Sequence, residues 1–559
     1  MALIEMTNVS FRYPNEAVNA LDQFSITIHK GEFVVVAGPS GCGKTTFLKL
    51  LKRELTPVGD MAGTIQYKDQ QIEEWNEADR SNEIGYVFQN PENQIVMEDV
   101  LSELVFGLEN HGTEALEMRQ RIAEMVHFFG LEHLLHKETI TLSGGQKQLI
   151  NLASILLLKP KLLLLDEPTS QLDPVQAKEF LQFLRRLNEE FGMTIILVEH
   201  RLEDVFSLAD RVALLSEGGL AYEGKTKDVI EQVWTSQDLR FLSYLPSISR
   251  LYFRFHSEAS AIKGFPVTVK EAQNWLNDVM IDEAKQSSNV EHTKEEKERP
   301  LLQIKSIHYK YKKDSPFILR NLSLDVSKGD FLAVVGGNGS GKTTLLKCCA
   351  NIMQPLKGKV KWKNKSLSSY KKKEWINAVG YLPQNPLLCF MAETLEEELL
   401  TIASRFNLDY AHERIETLTR DLGIQSILKK HIHDCSGGEQ QKAALATVLL
   451  TEPKLLLIDE PTKGMDPISK RVFAKLLKQL HQNGMTILMV THDIEFVAEH
   501  AKHCAWLFDG EITSIGQAED VLKGNYFYTT TINRVTREAA VPVLTLEEAD
   551  SKWKTRVPF

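Results

Sequence analysis

Two glycine-rich stretches of the chain have the composition and spacing needed to hold phosphate groups. Residues 38–45 read GPSGCGKT and residues 336–343 read GGNGSGKT, so both fit the pattern G-x-x-x-x-G-K-[ST]. Each stretch follows an apolar run and precedes a run of helical period, which is the context that the pattern requires. The glycines allow backbone N–H groups to close around phosphate oxygens, and the next helix adds its positive amino-terminal end. We therefore expect a phosphate site in each half, the alternative being two glycine-rich turns that bind nothing.

The roles within each stretch follow from residue type. Lys44 and Lys342 are expected to hold the β- and γ-phosphates, and Thr45 and Thr343 to ligate Mg²⁺. Cys42 is either a thiol whose modification blocks the site or a small buried filler. The candidate nucleotide-binding residues are Gly38, Pro39, Ser40, Gly41, Cys42, Gly43, Lys44, Thr45 and Thr46 in the first stretch, and Gly336, Gly337, Asn338, Gly339, Ser340, Gly341, Lys342, Thr343 and Thr344 in the second.

A pair of carboxylates ends each of two later apolar runs. Asp166 and Glu167 close KLLLLDE, and Asp459 and Glu460 close KLLLIDE. We expect each aspartate to ligate Mg²⁺ and each glutamate to accept or position a proton of an attacking water. The pair recurs at a similar distance from each glycine-rich stretch, which argues against carboxylates that are merely solvated at strand ends.

A histidine ends the apolar run that follows each carboxylate pair. These residues are His200, after TIILVE, and His492, after TILMVT. A single histidine in such a place is more often structural. Because both copies carry one near a predicted phosphate site, we expect each to donate a hydrogen bond to the γ-phosphate.

The elements that must position these residues are short buried strands. FVVVAG, KLLLLDE and TIILVEH are brief apolar runs that end in polar residues, as is typical of parallel strands covered on both faces. Longer segments of helical period separate them. The sequence therefore predicts α/β domains whose ligands lie at the carboxyl ends of the strands.

The chain contains this set of motifs and predicted strands twice. The second copy repeats the motifs of the first about 293 residues later, a period that indicates two domains rather than a solenoid. The polar segment SSNVEHTKEEKERP reads as a linker, with a solvated tether favoured over a binding role. The predicted parts are a first domain over 1–230, its carboxyl-terminal appendix over 231–283, a charged linker over 284–300, a second domain over 301–522 and a second appendix over 523–559.

Composition limits the class of protein. The 559 residues exceed what one core usually supports, and the net charge of −10 argues against a nucleic-acid binder, which needs a basic face. The six cysteines show no zinc spacing, so we expect reduced thiols. We read no signal peptide in the amino-terminal residues and no membrane span, so an action at a membrane would need another chain that crosses it.

A further motif completes a recognisable set. TLSGGQKQ (141–148) and DCSGGEQQK (434–442) precede the two carboxylate pairs at equal distance. With the phosphate loops, a glutamine, the Asp-Glu pairs and the histidines, in that order, the chain resembles ABC-type ATPases over nearly its whole length, twice. The resemblance implies two P-loop ABC ATPase domains in tandem, each with a parallel-sheet core, a helical signature-motif subdomain and a small carboxyl-terminal appendix.

The resemblance also assigns roles. It implies that ATP is the substrate with Mg²⁺ as cofactor, and that the two domains pair head to tail, with each ATP between one phosphate loop and the other domain's signature. Gln89 and Gln384 match the glutamine that contacts Mg²⁺ and senses a transport partner, and Asp173 and Asp466 match the D-loop. The remaining nucleotide contacts are Tyr13 and Tyr311 as adenine-stacking rings (the alternative being tyrosines packed within strands) and the signature residues Ser143, Gly144, Gly145, Gln146, Ser436, Gly437, Gly438 and Glu439.

The segment after Gln89 points to one branch of this family. NPENQIVMEDVLSELVFGLEN is similar to the ATPase subunits of energy-coupling factor (ECF) importers, including fused ones assigned to hydroxymethylpyrimidine or thiamine uptake. The resemblance implies an ATPase on the cytoplasmic face of the membrane, a membrane coupling protein and a small substrate-binding membrane protein as partners, and a vitamin, vitamin precursor or transition-metal ion as cargo. The second copy departs from this pattern after Gln384.

Two other functions stay open on the sequence. A tandem ATPase acting on ribosomes or DNA would need a long basic linker or a coiled-coil insertion, whereas this linker is short and mixed in charge. A nucleotide-binding regulator without turnover is disfavoured by the two glutamates of the carboxylate pairs.

Glu439 stands where the first copy has Gln146, and the change need not inactivate a site. Both Ser-x-x-Gln and Ser-x-x-Glu form capping boxes at a helix start. Two like charges roughly 8 Å apart at an effective dielectric near 20 repel by about 2 kcal/mol, which tunes ATP binding without abolishing it. We therefore expect two competent but unequal sites.

Overall fold

The computed structural model describes residues 2–14, 16–74, 82–200, 202–256, 264–283, 300–370 and 372–556. The chain forms two compact units, Met1–Pro246 and Ser247–Phe559. The division falls inside the predicted first appendix, so residues 247–283 belong to the second unit. The predicted linker lies outside the described residues except for Pro300, and the domain boundaries stay predictions.

The first unit contains two sheets. A four-stranded antiparallel sheet has the order β2-β1-β4-β5, and a six-stranded sheet has the order β10-β9-β3-β8-β7-β6 with only β10 antiparallel to its neighbour. The strands are β1 (Ala2–Arg12), β2 (Leu21–His29), β3 (Phe33–Ala37), β4 (Asp60–Tyr67), β5 (Gln70–Gln71), β6 (Ile84–Val87), β7 (Leu162–Asp166), β8 (Thr194–Val198), β9 (Arg211–Ser216) and β10 (Gly219–Lys225). The α-helices are α1 (Lys44–Leu50), α2 (Val100–Asn110), α3 (Ala115–Phe129), α4 (Gly144–Leu156), α5 (Pro174–Phe191) and α6 (Thr226–Ser236).

The central strands explain why the six-stranded sheet is parallel. All five residues of β3, β7 and β8 are buried, and side chains of all three strands share one hydrophobic cluster with the antiparallel sheet and α1. The three strands are neighbours in the order β3-β8-β7. Their carboxyl ends therefore bring the first phosphate loop, the first carboxylate pair and His200 to one edge, and the predicted α/β class is confirmed.

The second unit repeats this architecture. Its sheets have the orders β13-β12-β15-β16 and β17-β18-β19-β14-β20-β21, and β11 pairs with β22. The strands are β11 (Met280–Glu283), β12 (Leu302–Tyr309), β13 (Leu319–Val326), β14 (Phe331–Val335), β15 (Lys357–Trp362), β16 (Lys365–Ser366), β17 (Val379–Leu382), β18 (Leu455–Asp459), β19 (Thr486–Thr491), β20 (His503–Phe508), β21 (Glu511–Gln517) and β22 (Trp553–Arg556). The α-helices are α7 (Ser247–Phe255), α8 (Val269–Asn277), α9 (Lys342–Cys349), α10 (Lys372–Ala378), α11 (Leu395–Phe406), α12 (Ala411–Asp421), α13 (Gly437–Leu449), α14 (Pro467–Gln482), α15 (Ile494–His500), α16 (Ala518–Lys523), α17 (Thr531–Thr536) and α18 (Leu546–Lys552).

The two carboxyl-terminal appendices pack against each other. Helices α7 and α8 share one hydrophobic cluster with α17 and α18, in which Leu251 and Ala549 are fully buried. Arg254 forms an ion pair with Asp550, and β11 pairs antiparallel with β22. Each appendix alone has too few apolar residues for a core, so the repeat of this segment produces one shared core.

Among the described residues, no helix has both the length and the apolar composition that crossing a bilayer requires.

Candidate functional site

The two phosphate loops have matching backbones. The glycines before the lysines, Gly43 and Gly341, have φ angles of 100° and 103°. A Cβ at Gly43 would lie 2.3 Å from the carbonyl oxygen of Ala20, so only glycine fits there. Helices α1 and α9 start at the residue after each of these glycines, which places their amino-terminal N–H groups beside the loops.

The loop lysines are buried and bonded within their own loops. Lys44 Nζ donates to the carbonyl oxygens of Gly38 and Pro39 at 2.8 and 2.9 Å, and Lys342 Nζ donates to those of Gly336 and Gly337 at 2.8 and 3.0 Å. These ammonium groups lie inside the turn that the sequence assigns to phosphate. A bound triphosphate would offer them anionic oxygens in exchange for neutral carbonyls.

Each carboxylate pair places its aspartate beside the threonine of the loop. Thr45 Oγ1 donates to Asp166 Oδ1 at 3.1 Å, and Thr343 Oγ1 donates to Asp459 Oδ1 at 3.0 Å. Burial raises the pKa of Asp166 to about 6, and the adjacent Glu167 adds to the rise. Burial likewise raises the pKa of Asp459 to about 6. A buried carboxylate of this kind favours a cation.

These oxygens fit a magnesium ion. Mg²⁺ prefers oxygen ligands, keeps several waters and takes one or two protein groups plus phosphate oxygens. The threonine and aspartate oxygens supply such a small set. No group of three or more His, Cys, Asp or Glu side chains in the described part of the chain could hold a metal on its own.

A tyrosine that the sequence reasoning missed also holds each aspartate. Tyr86 donates its hydroxyl to Asp166 Oδ2 at 3.1 Å, and Tyr381 donates to Asp459 Oδ2 at 3.3 Å. The two tyrosines occupy the same position in IGYV and VGYL, so a comparison of the copies could have found them. They fix the aspartates in the orientation that faces the threonines.

In the first unit, the catalytic candidates meet. Glu167 Oε1 lies 2.7 Å from His200 Nε2, and Gln89 Nε2 donates to Glu167 Oε2 at 2.7 Å. Glu167 has a φ of 46°, in the left-handed region that non-glycine residues seldom adopt. Such backbone strain is concentrated at functional sites. The structure therefore brings three of the predicted residues together, with His200 and Gln89 both in contact with the carboxylate of Glu167.

In the second unit, the glutamate has a different set of partners. Glu460 lies 2.7 Å from His492 Nδ1 and 3.2 Å from Lys342 Nζ, and its φ of 47° matches that of Glu167. Burial by itself would raise the pKa of Glu460, but His492 and Lys342 outweigh it and hold the pKa at about 2. Gln384 is exposed.

The predicted adenine-contacting tyrosines hold the loop helices. The hydroxyls of Tyr13 and Tyr311 lie 3.0 Å from Thr46 Oγ1 and Thr344 Oγ1. Tyr13 packs edge-on against Phe11, and the ring of Tyr311 is exposed. Both rings are thus anchored at the hydroxyl end, and their stacking on adenine stays a prediction.

The signature serines start helices, as predicted. Ser143 forms a capping box with Gln146, and Ser436 forms one with Glu439. The following glycines, Gly144 and Gly145 in the first unit and Gly437 and Gly438 in the second, open helices α4 and α13. The D-loop aspartates Asp173 and Asp466 cap α5 and α14 through backbone N–H groups two and three residues later.

A buried acid beside the first histidine has no counterpart in the second unit. Glu199 accepts hydrogen bonds from the N–H and hydroxyl of Thr169, at 3.0 and 2.6 Å, and from the N–H of His200 at 3.1 Å. Thr491 occupies the corresponding place before His492. In the sequence, the only sign of this difference is that VEH in the first copy corresponds to VTH in the second. Glu199 therefore makes the surroundings of the two histidines unequal.

A fold of this topology, with two phosphate loops, two Asp-Glu strand ends and two signature helices, defines a tandem ATPase. The family model described as ABC transporter matches residues 21–170 and 319–463. The chain therefore belongs to the ABC transporter ATP-binding family, and it carries the ATPase domain twice. Members of this family bind ATP with Mg²⁺ and hydrolyse it.

Similar proteins cover nearly the full length. A protein of Bacillus thuringiensis subsp. konkukian, provisionally named as an ABC transporter ATP-binding protein, is 44% identical over 98% of this chain and 98% of its own. A Methanosarcina acetivorans protein of the same provisional name is 32% identical over 93% of this chain and 86% of its own. Among solved structures, a complex of the archaeal ribosomal stalk protein aP1 with the ribosome recycling factor aABCE1 matches with a TM-score of 0.57 and 22% identity, over 92% of this chain and 91% of that chain. At this identity the last likeness concerns the fold alone.

Proposed function

We propose that the chain is the ATP-hydrolysing subunit of a membrane importer of the ECF type. The observation that carries the catalytic part is the glutamate–histidine contact, which recurs in both units at 2.7 Å. The names of the full-length relatives support the transport part. The segment FQNP with a later FG, which is similar to ECF ATPases, supports the branch.

The catalytic residues have separable tasks in this proposal. Mg²⁺, when bound by the loop threonine and strand aspartate, supplies charge stabilisation at the phosphates. Lys44 exchanges its loop carbonyls for phosphate oxygens. Glu167 orients the attacking water and accepts its proton, and His200 holds Glu167 and then contacts the γ-phosphate. Gln89 links Glu167 to the loop that follows it, so a movement of that loop reaches the carboxylate. Glu460, His492 and Lys342 have the same roles in the second unit, where Gln384 matches Gln89 by position and is exposed.

The two units act as a pair in this proposal. Each ATP is bound between one phosphate loop and the other unit's signature, so that Lys44 works with Ser436 and Lys342 works with Ser143. ATP binding closes the pair, hydrolysis opens it, and the movement drives the membrane partner. Backbone N–H groups at the starts of α4 and α13 suit this role, since a helix start attracts anions.

Exposed apolar residues after each glutamine support a protein partner there. Val96 is 66% exposed, Leu388 is 74% exposed and Met391 is 87% exposed. Apolar side chains presented next to a loop that contacts the catalytic glutamate suit the membrane coupling protein. We place the subunit on the cytoplasmic face of the cell membrane, with a small substrate-binding membrane protein as the further partner.

The cargo in this proposal is a vitamin, a vitamin precursor or a transition-metal ion, with hydroxymethylpyrimidine or thiamine as the first candidate. The test is to isolate the intact membrane complex and identify its bound small molecule. Release of the chain from washed membranes, without loss of ATPase activity in the soluble fraction, would favour an action on ribosomes or DNA instead. The net charge of −10 counts against that alternative.

A further inference from the structure

The first unit has a cavity at the edge of its sheet opposite the phosphate loop. We call it the basal cavity; its volume is about 470 Å³, and its lining includes Lys30, Met125, Phe128, Lys159, Lys161 and Phe191. Lys30 precedes β3, Lys161 directly precedes β7, and Met193, also in the lining, directly precedes β8. Because these strands are parallel, their amino ends lie away from the nucleotide, and the catalytic residues do not use this space.

The floor of the basal cavity is apolar and aromatic. Met125 and Phe128 come from α3, Leu156 from the end of α4, and Leu187 and Phe191 from α5. The rings of Phe128 and Phe191 have centroids 6.0 Å apart, and Phe191 is 62% exposed. An aromatic side chain exposed at the mouth of an apolar cavity is a surface to which an apolar molecule can bind.

The rim of the basal cavity is basic. Lys30, Arg121, Lys159 and Lys161 line it, against one acid, Glu124. Arg121 and Lys161 already form ion pairs with acidic neighbours. Lys30 and Lys159 are exposed and have no ion-pair partner within the described part of the chain. Two lysines against one acid therefore leave a net positive charge beside the apolar floor.

The second unit shows that this combination is not required by the fold. Arg121 donates to the carbonyl oxygen of Leu157 at 3.2 Å, and Arg414 donates to that of Leu450 at 3.1 Å, which aligns the two regions. In this alignment Glu452 takes the place of Lys159.

Charge and shape both differ there. Glu452 forms an ion pair with Arg414 at 2.6 Å, so a paired acid stands where the first unit has a lysine without an ion pair among the described residues. Lys159 and Glu452 have φ angles of 56° and 50°, so the backbone is the same and only the side chain changes. Asp421 replaces Phe128, which removes an aromatic ring from the floor.

We propose that the basal cavity binds a small amphipathic carboxylate, with an alkyl or aryl body on the floor and the anionic head at the lysine rim. Its volume lies in the range of about 300–1,000 Å³ that is typical of small-molecule sites. The charge complementarity excludes an amphipathic cation. The site belongs to the first unit alone and does not depend on the identity of the transport partner.

The test uses the full chain saturated with Mg²⁺ and ADP, so that the nucleotide sites are filled. The fluorescent anion 8-anilinonaphthalene-1-sulfonate is titrated and then displaced with decanoate or with decylamine. We expect saturable binding, displacement by decanoate, and displacement by decylamine that is at least about tenfold weaker. Equal displacement by the two competitors overturns the proposal.

Variants copied from the second unit locate the binding. Lys159→Glu and Phe128→Asp should each weaken binding of the sulfonate at least about tenfold, which corresponds to about 1.4 kcal/mol. Glu452→Lys is the matched control in the other unit and should leave the affinity unchanged. Lys159 is exposed, so its variant tests the charge without disturbing the core. Wild-type affinity in Lys159→Glu, or the same loss in Glu452→Lys, overturns the assignment.

Discussion

The two signature motifs form the same helix cap and use their serine hydroxyls differently. Gln146 accepts from the N–H of Ser143 at 3.0 Å, and its own N–H donates to Ser143 Oγ at 3.3 Å. In the second unit, Glu439 Oε2 accepts from both the N–H and the hydroxyl of Ser436, each at 2.8 Å. The glutamate therefore preserves the capping box and also accepts the hydrogen bond that the serine hydroxyl could otherwise donate to a γ-phosphate.

The phosphate loops differ in the group that lies beside each lysine. Lys342 has Glu460 at 3.2 Å, whereas Lys44 has the Cys42 sulfur at 3.8 Å. Ser340 takes the place of Cys42 in the second loop. If the units pair head to tail, the first phosphate loop works with the signature that carries Glu439. Cys42 and Glu439 would then belong to the same composite site. The two copies therefore differ in the groups around the predicted phosphate positions and keep the residues that are predicted to bind the metal and orient the water.

The largest expected effect concerns the glutamates that the units share. Glu167→Gln combined with Glu460→Gln should keep ATP binding and lower phosphate release by about 100-fold or more, since a positioned proton acceptor typically contributes 10²–10⁴-fold. The measurement is steady-state phosphate release alongside ATP affinity. Release within about twofold of wild type would remove both residues from catalysis.

The single variants sharpen this comparison. Glu460→Gln also removes the charge that pairs with Lys342, whereas Glu167 has its glutamine and histidine partners. We therefore expect Glu460→Gln to raise ATP affinity more than Glu167→Gln does. Equal affinities would show that the ion pair of Lys342 is without consequence for binding.

The next effect concerns the two appendices. The helix caps Thr268 and Thr545 each accept from an N–H three residues later, and their positions align Leu276 with Trp553. Trp553 is 4% exposed, packs on Phe255 and donates to the carbonyl oxygen of Val541 at 2.8 Å. Trp553→Ala should destabilise the shared core by about 3–5 kcal/mol, and Leu276→Ala by about 2–3 kcal/mol.

Hydrogen exchange in α7 and α8 measures this effect. Trp553 lies in the second appendix, so faster exchange in the first appendix reports their shared core. Unchanged protection of α7 in Trp553→Ala would show that the appendices are independent.

Much of this structure could be predicted from the sequence, because its signals are local and repeated. The glycine-rich loops, the buried strands and the signature caps each depend on a few adjacent residues, and each was confirmed as a structural feature. The ion pair between Lys342 and Glu460 could not be foreseen, since it joins residues far apart in the chain whose partners vary between the copies. The shared core of the appendices was missed because the sequence shows two similar segments but not that they contact.

A smaller effect concerns the fourth signature residue. Glu439→Gln should keep the capping box and remove a negative charge. It should also free the Ser436 hydroxyl to donate its hydrogen bond elsewhere. We expect ATP to bind up to about tenfold more tightly at the site of Lys44, because screening reduces the ~2 kcal/mol of repulsion. ATP affinity is measured in two backgrounds, Lys44→Ala and Lys342→Ala.

The two backgrounds separate the possible arrangements of the pair. Tightening with Lys342 disabled supports the pairing of Lys44 with Ser436. Tightening only with Lys44 disabled would refute the head-to-tail pairing. A response in neither would leave Glu439 as a helix cap without influence on the nucleotide.

The smallest effect concerns the cysteine of the first phosphate loop. Burial raises the pKa of the Cys42 thiol, although Lys44 acts in the opposite direction, and the side chain is almost fully buried. A thiol that is protonated and shielded reacts slowly, so N-ethylmaleimide should label Cys42 more slowly than a free cysteine model, and added Mg²⁺ and ATP should slow it further.

Cys42→Ser makes the loop like its counterpart, and we expect ATP affinity to change by less than about threefold, because the sulfur is a weak hydrogen-bond acceptor for Lys44 at 3.8 Å. Rapid labelling that leaves ATP affinity intact at both sites would mean that the thiol points away from the phosphates. A tenfold change in Cys42→Ser would instead make this residue, rather than Glu439, the main source of the difference between the two sites.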